Sequence, residues 1–347
     1  MQDLYNEFNY GIFNPIAIKN FLAYTLAVWQ KAPTYVLLVG DGHWNFKGYQ
    51  SNNPKVDYSS PTPVYMPPNL AWVDPWQGEV DSANLLAAVV GTDPFPDLNI
   101  ARLPVNSVAE LNIVIQKIME YENSPLDDWQ YNLIFAADNK DAAGDFKSLA
   151  DGIITDIIPS AYRENRIYLD DLGSAALANQ SLKQALNVSG AALLNYIGHA
   201  TIDGWATDKW NNEVFTNSDI QDLDNGRMLP VVLSMDCLDG YWLYPSRSSL
   251  TEEMLRASSK GVVSSFSPTG LGVATGHDAL QRGFYDAVFN QGIKELGPAT
   301  YAAKLSLYAS GSNYDLLHTF TVFGDPALRM HIPEPPVYLP ILVRATP

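Results

Sequence analysis

The sequence predicts an α/β protein built on a mostly parallel sheet with helices on both faces. Short, mainly apolar runs such as YVLLV at 35–39, LLNYI at 193–197 and VVLSM at 231–235 alternate with stretches of helical period. Continuously apolar runs belong to strands covered on both faces, and strand–helix alternation implies a parallel sheet between helical layers. At 347 residues the chain exceeds what one ordinary core fills, so one large or two smaller α/β domains are expected.

The elements follow in order. Residues 15–30 read as a helix, with Pro15 acceptable in its first turn. The run 35–39 is a strand ending at Gly40-Asp41-Gly42. Residues 50–97, rich in Pro, Asn and Asp with little periodicity, read as a long ordered loop region. Strand 99–103 leads to a helix over 107–122, where Ser107 and Glu110 make a capping box. A second series follows: strand 133–137, helix 145–157, strand 166–169, helix 176–187, and strands 191–197 and 231–235. Helix 249–258, strand 262–266 and helices 277–289 and 297–309 complete it, and the Pro-rich tail from Ile332 reads as a linker.

Bulk composition narrows the function. With 47% hydrophobic and 17% charged residues the chain is globular. It has no apolar run long enough for a membrane span, and its start lacks the basic flank and apolar core of a signal peptide. A net charge of −17 repels phosphates and argues against a nucleic-acid partner. It suits an extracellular protein with structural calcium, and a solubilising surface accounts for it equally well. With a single cysteine, neither an intrachain disulfide nor a Cys-based zinc cage can form.

Two buried-type strands each deliver one reactive side chain. LLNYI runs into Gly198-His199 and VVLSM into Asp236-Cys237, 38 residues further on. Ligands bind open α/β sheets at the carboxyl ends of the strands. If these strands are neighbours, imidazole and thiol meet there, as a Cys–His nucleophile requires. Packing is the alternative, since free cysteines are commonly buried. His43 has no partner cysteine, and His277, His318 and His331 lack metal spacing. Asp74, Asp81, Asp93 and Asp97 are either calcium ligands or solvated loop carboxylates.

The segments LLNYIGHATIDGWAT and VVLSMDCLDGYW, with HTFTVFGDPAL at 318–328 and PTYVLLVGDG, NIARLPV and KIMEYE, resemble the gingipain-like cysteine peptidases, peptidase family C25. The resemblance covers nearly all of 4–331 and implies a caspase-like three-layer sandwich. It implies an N-terminal subdomain over 1–130, incomplete because its opening elements lie upstream, a catalytic subdomain over 131–331, and a tail over 332–347.

The implied activity is a secreted or cell-surface cysteine endopeptidase acting on proteins or peptides, with no cofactor for the chemistry. Cys237 would attack the scissile carbonyl and form a thioester, and His199 would hold the thiolate and protonate the leaving amine. The backbone N–H groups of Cys237 and Ala200 would form the oxyanion hole; Ala200 replaces the family's usual glycine, which puts its backbone angle in question. Asp138 would orient His199, one methylene shorter than the family's frequent Glu; a strand-end turn is the alternative. Asp145 aligns with the acidic pocket floor of Arg-specific members, implying basic P1 residues, and is equally placed as a helix N-cap. Trp205 and Trp242 either wall the cleft or pack as buried aromatics. Transpeptidation through the same thioester and an inactive surface-binding module are the rival readings.

Overall fold

A computed structural model describes residues 1–49, 63–207 and 212–334. The first part contains α1 (Gln2–Asn9), α2 (Ile16–Val28), β1 (Tyr35–Val39), β2 (Leu70–Asp74), β3 (Gly78–Asp81), α3 (Ala83–Ala87), β4 (Asn99–Leu103) and α4 (Val108–Asn123). Then come β5 (Asn132–Ala137), α5 (Phe146–Asp156), β6 (Arg163–Tyr168), α6 (Leu169–Leu172), α7 (Ala175–Gln184) and β7 (Leu193–Ile197). The remainder is β8 (Gly204–Thr207), β9 (Glu213–Thr216), β10 (Val231–Met235), α8 (Leu250–Arg256), β11 (Ser264–Pro268), α9 (Ala274–Phe289), α10 (Leu296–Ala309), α11 (Leu316–Thr319) and β12 (Phe320–Phe323).

Eight strands form one sheet in the order β1-β4-β12-β11-β10-β7-β5-β6. All neighbours are parallel except β11 and β12. The sheet is therefore two parallel sets running in opposite directions, and strands from before and after residue 130 share it through the β4–β12 pair. Side chains alternate between faces along each strand. Leu133, Phe135, Val231 and Leu233 pack with α5 and α9 on one face. Ile134, Ala136, Leu194, Tyr196 and Val232 pack with α7 and α8 on the other. These strands read as continuous apolar runs because both alternating sets are buried.

Helix starts follow local chemistry. Ser107 accepts the N–H of Glu110, as the capping-box reading requires, and Ser249 caps α8 with Glu252 closing its box. Three expectations change. The apolar run 35–39 forms an edge strand, with Leu37 38% and Val39 37% exposed, so it is not covered on both faces. The region 50–97, expected to be loop, holds the β2–β3 hairpin and α3 among its described residues. β12 and α1 carry no periodicity long enough to have been expected.

One buried cation joins distant segments. Arg256, at the end of α8, donates to Asp41 after β1 at 2.6 Å, to Glu252 at 2.7 Å and to the Pro104 carbonyl after β4 at 2.6 Å. Removing one member of such a network strands the others in low dielectric. Arg256→Ala is expected to lower unfolding free energy by about 3–5 kcal/mol, read from urea denaturation, because Asp41 and Glu252 lose their cation. A loss below about 1 kcal/mol would contradict this account of the network.

Candidate active site

β7 and β10 are adjacent and parallel, with Leu193 opposite Val231 and Ile197 opposite Met235. His199 and Cys237 each lie two residues beyond those last paired positions, so both leave the sheet at one edge. They also lean to one face. The His199 ring lies edge-on to Phe146 at the start of α5, centroids 5.4 Å apart, and the thiol meets the Gly272 carbonyl just before α9 at 3.8 Å. Those helices pack together on the same side, and the loop before α5 touches the first residue of α9: a Cβ on Gly144 would come within 3.1 Å of Ala274.

The backbone of His199 is held at both ends. Its N–H donates to Asp138 at 3.1 Å, and its carbonyl accepts from Tyr196 Oη at 2.6 Å and from the N–H of Ala206 at 2.8 Å. Gly198 is confined between these groups; an added Cβ would lie 2.3 Å from Asp138 Cβ and 2.7 Å from Tyr196 Oη. Asp138, expected to orient the imidazole, is thus spent on the main chain, also accepting from Asn139 N–H at 2.7 Å. It sits directly at the end of β5, with one carboxylate oxygen on the His199 N–H and the other on the Asn139 N–H.

The ring's carboxylate is Asp141, Oδ2 lying 2.9 Å from Nε2. The N–H groups of Ala143 and Gly144 fix Asp141 through Oδ1 at 2.7 and 3.4 Å. Slight burial pushes this carboxyl up, but those donors and the His199 ring outweigh it and leave it below the usual carboxylate range. A neutral ring that gives its Nε2–H to Asp141 keeps its lone pair on Nδ1. Its sequence run, DNKDAAGD, offers several carboxylates and no periodic cue, so only the fold selects this one.

Cys237 makes no hydrogen bond to His199 among the described residues. Its thiol is half-buried, and burial, then the nearby Asp74 and Asp239 carboxylates, push its pKa up. Leu238, with φ 64, takes the left-handed conformation that non-glycine residues seldom adopt, and this sharp turn sets the cysteine at the corner of the strand end. Among the described residues, neither Ala200 nor Cys237 donates its N–H to a turn or loop carbonyl. Ala200 has no positive φ, so the side chain replacing a glycine there brings no strain.

The remaining expected residues are engaged with other partners. Trp205 is fully buried, donates Nε1 to Asp239 at 3.0 Å and stacks on Tyr196 at 4.5 Å, so it is a strut between the two loops and walls no cleft. Trp242 is likewise buried, donating to Asp81 at 3.2 Å beneath the Arg102 guanidinium at 3.9 Å. Asp145 caps α5 through the Ser148 N–H at 3.1 Å and pairs with Lys140 at 2.8 Å; Lys140 foremost and then that N–H hold it down at about 2. Asp74, Asp93 and Asp97 accept loop N–H groups, and among the described residues no three His, Cys, Asp or Glu side chains gather as metal ligands.

Comparisons with known proteins place the family and the fold. A family profile described as Peptidase family C25 matches residues 1–331. Gingipain R2 and gingipain R1 of Porphyromonas gingivalis are each 23% identical over 265 residues, 72% of this chain. The chain spans 35% and 26% of the length of these curated relatives. The crystal structure of the Arg-specific cysteine proteinase gingipain R (RgpB) superposes with a TM-score of 0.73 at 21% identity, covering 95% of this chain and 74% of that one. The complex of Porphyromonas gingivalis RgpB pro- and mature domains gives 0.71 at 19% identity, over 94% of this chain and 72% of that one. The fold is thus that of a gingipain catalytic domain.

Flanking the thiol, Asp236 and Asp239 are fully buried, and both Asp236 oxygens lack a hydrogen-bond partner among the described residues. Burial pushes Asp239 from 3.8 up to about 6. Between those values the folded chain keeps a proton that the unfolded chain has released. The stabilising contribution is complete below about pH 4 and is lost as pH rises through about 6. Asp239→Asn is expected to flatten the decline in urea midpoint across that window while keeping an acceptor for Trp205; an unchanged slope would contradict it.

Proposed function

Since this chain belongs to peptidase family C25, we propose that it hydrolyses peptide bonds with Cys237 as nucleophile, His199 as general acid–base and Asp141 as the residue positioning the ring. The observation that carries the reading is the shared strand edge and face from which the thiol and the imidazole project. The N–H groups of Ala200 and Cys237, which meet no turn or loop carbonyl among the described residues, support it, because an acyl-transfer site needs donors for a developing oxyanion.

In the proposed sequence, His199 Nδ1 takes the thiol proton as Sγ bonds to the scissile carbonyl carbon. The carbonyl π electrons move to oxygen, which the two N–H groups receive. The imidazolium, held by Asp141 at Nε2, then donates its proton to the amide nitrogen as the C–N bond breaks, leaving a thioester. Water attacks next, giving one proton back through His199 to the departing sulfur. Burial favours the resting thiol, so its proton leaves only when the His199 ring comes within reach and the imidazolium formed faces the sulfur.

The substrates are proteins or peptides, met outside the cell or at its surface. Asp145 is the candidate for selecting basic P1 residues, and a substrate guanidinium there would displace Lys140 from its exposed pair. The Arg-specific gingipain R, whose fold this chain shares, makes that the first preference to examine.

A peptidyl chloromethyl ketone is expected to label Cys237 under reducing conditions. Labelling disappears in Cys237→Ala and falls at least about tenfold in His199→Ala. An unlabelled wild-type chain would contradict catalysis and favour a binding module. Asp141→Asn is expected to lower kcat about 10- to 100-fold with little change in KM, the pattern of a lost ring orientation. An equal loss in Asp138→Asn with none in Asp141→Asn would reverse the two carboxylates' roles.

A further inference from the structure

Beside the proposed catalytic pair stands a hairpin that the mechanism does not use. β2 and β3 pair antiparallel, with Trp72 directly opposite Glu79. Both ends of the hairpin are fastened to loops of the site. At its base, buried Asp81 accepts from Trp242 Nε1 at 3.2 Å, and its carbonyl accepts from Thr269 Oγ1 at 2.8 Å. At its tip, buried Asp74 accepts the N–H of Leu271 at 2.6 Å, next to the Gly272 carbonyl that faces the thiol. Trp72 is two residues back from Asp74, about 7 Å along the strand.

The outer face of this anchored hairpin is chemically unusual. The Trp72 side chain is 82% exposed and lies over Gly78, where an added Cβ would come within 3.0 Å of the indole. Glu79 is exposed and pairs with no cation among the described residues. Directly opposed antiparallel residues hold their Cβ atoms about 5 Å apart. An open indole face beside a free carboxylate suits one kind of side chain, a guanidinium or ammonium on an apolar stem. The cation meets the ring's negative face and the carboxylate together. Glu79 also borders a cleft of about 920 Å³ with Tyr241, four residues beyond Cys237.

Resting on the peptidase reading above, we propose that Trp72 and Glu79 form a subsite for a basic side chain of the polypeptide substrate, at a position flanking the residue that carries the scissile carbonyl. The hairpin is anchored through Asp74 to Leu271, beside the Gly272 carbonyl that faces the thiol, so a chain lying across Cys237 and that loop would pass along the hairpin.

The test is a series of fluorogenic peptides carrying Arg or Gln in turn at each flanking position. At one position, wild-type kcat/KM is expected to favour Arg about 5- to 30-fold. Glu79→Arg brings that ratio to about one or below, and Trp72→Ala lowers it partway. A ratio unchanged in both variants, or no flanking preference in the wild type, overturns the subsite. Failure of the peptidase reading looks different: no chloromethyl ketone on wild-type Cys237 and no peptide of the series cut, which overturns both.

Discussion

The parallel, in-register ladder between β7 and β10 is the constraint on which the site depends. Because Ile197 and Met235 are paired, the residues two beyond them emerge at one level, and strand alternation turns both toward α5 and α9. A slip of one residue would send one side chain to the opposite face. Burial of both alternating sets in these strands makes such a slip costly, since it would drive apolar side chains out of two cores at once. Hydrophobic packing far from the chemistry thereby sets its geometry.

Around that ladder, polar groups are spent on holding loops. Asp138 and Tyr196 grip the two ends of the His199 peptide unit, and Trp205 bridges the Tyr196 ring to Asp239 beside the cysteine. The strut links the histidine loop to the cysteine turn through a stack and a buried hydrogen bond. The ring of His199 lies edge-on to Phe146 with Asp141 holding its outer nitrogen. A fixed backbone with one ring nitrogen anchored leaves Nδ1 for a base that serves both thiol and leaving group.

Residues governed by strand burial and local capping were legible in the sequence. LLNYIGH and VVLSMDC marked their own strands, and Ser107 with Glu110 marked a helix start. What depended on distant partners was not. Trp205 and Trp242 stand beside the reactive residues in sequence, yet their N–H groups find buried carboxylates, Asp239 and Asp81, and this draws them into the core. Asp138 and Asp141 are alike as residues, and only the closeness of β5 to β7 assigns one to the backbone and the other to the ring. The β2–β3 hairpin escaped notice because Pro, Asp and Gly obscure its alternation and its anchors lie at Arg102, Trp242 and Leu271. The resemblance to gingipains supplied the family and the fold, and the family profile and superposition bear both out.

The central claim is that one sheet edge brings the Cys237 sulfur, the His199 ring and two backbone N–H groups around a single reacting carbonyl. A crystal structure of the chain bound covalently to a substrate-derived peptidyl inhibitor measures this directly. The account predicts His199 Nδ1 within about 4 Å of the sulfur or the leaving position, and the inhibitor oxygen about 3 Å from the N–H groups of Ala200 and Cys237. An adduct whose oxygen points into solvent, with the imidazole still beyond reach of the sulfur, would contradict it.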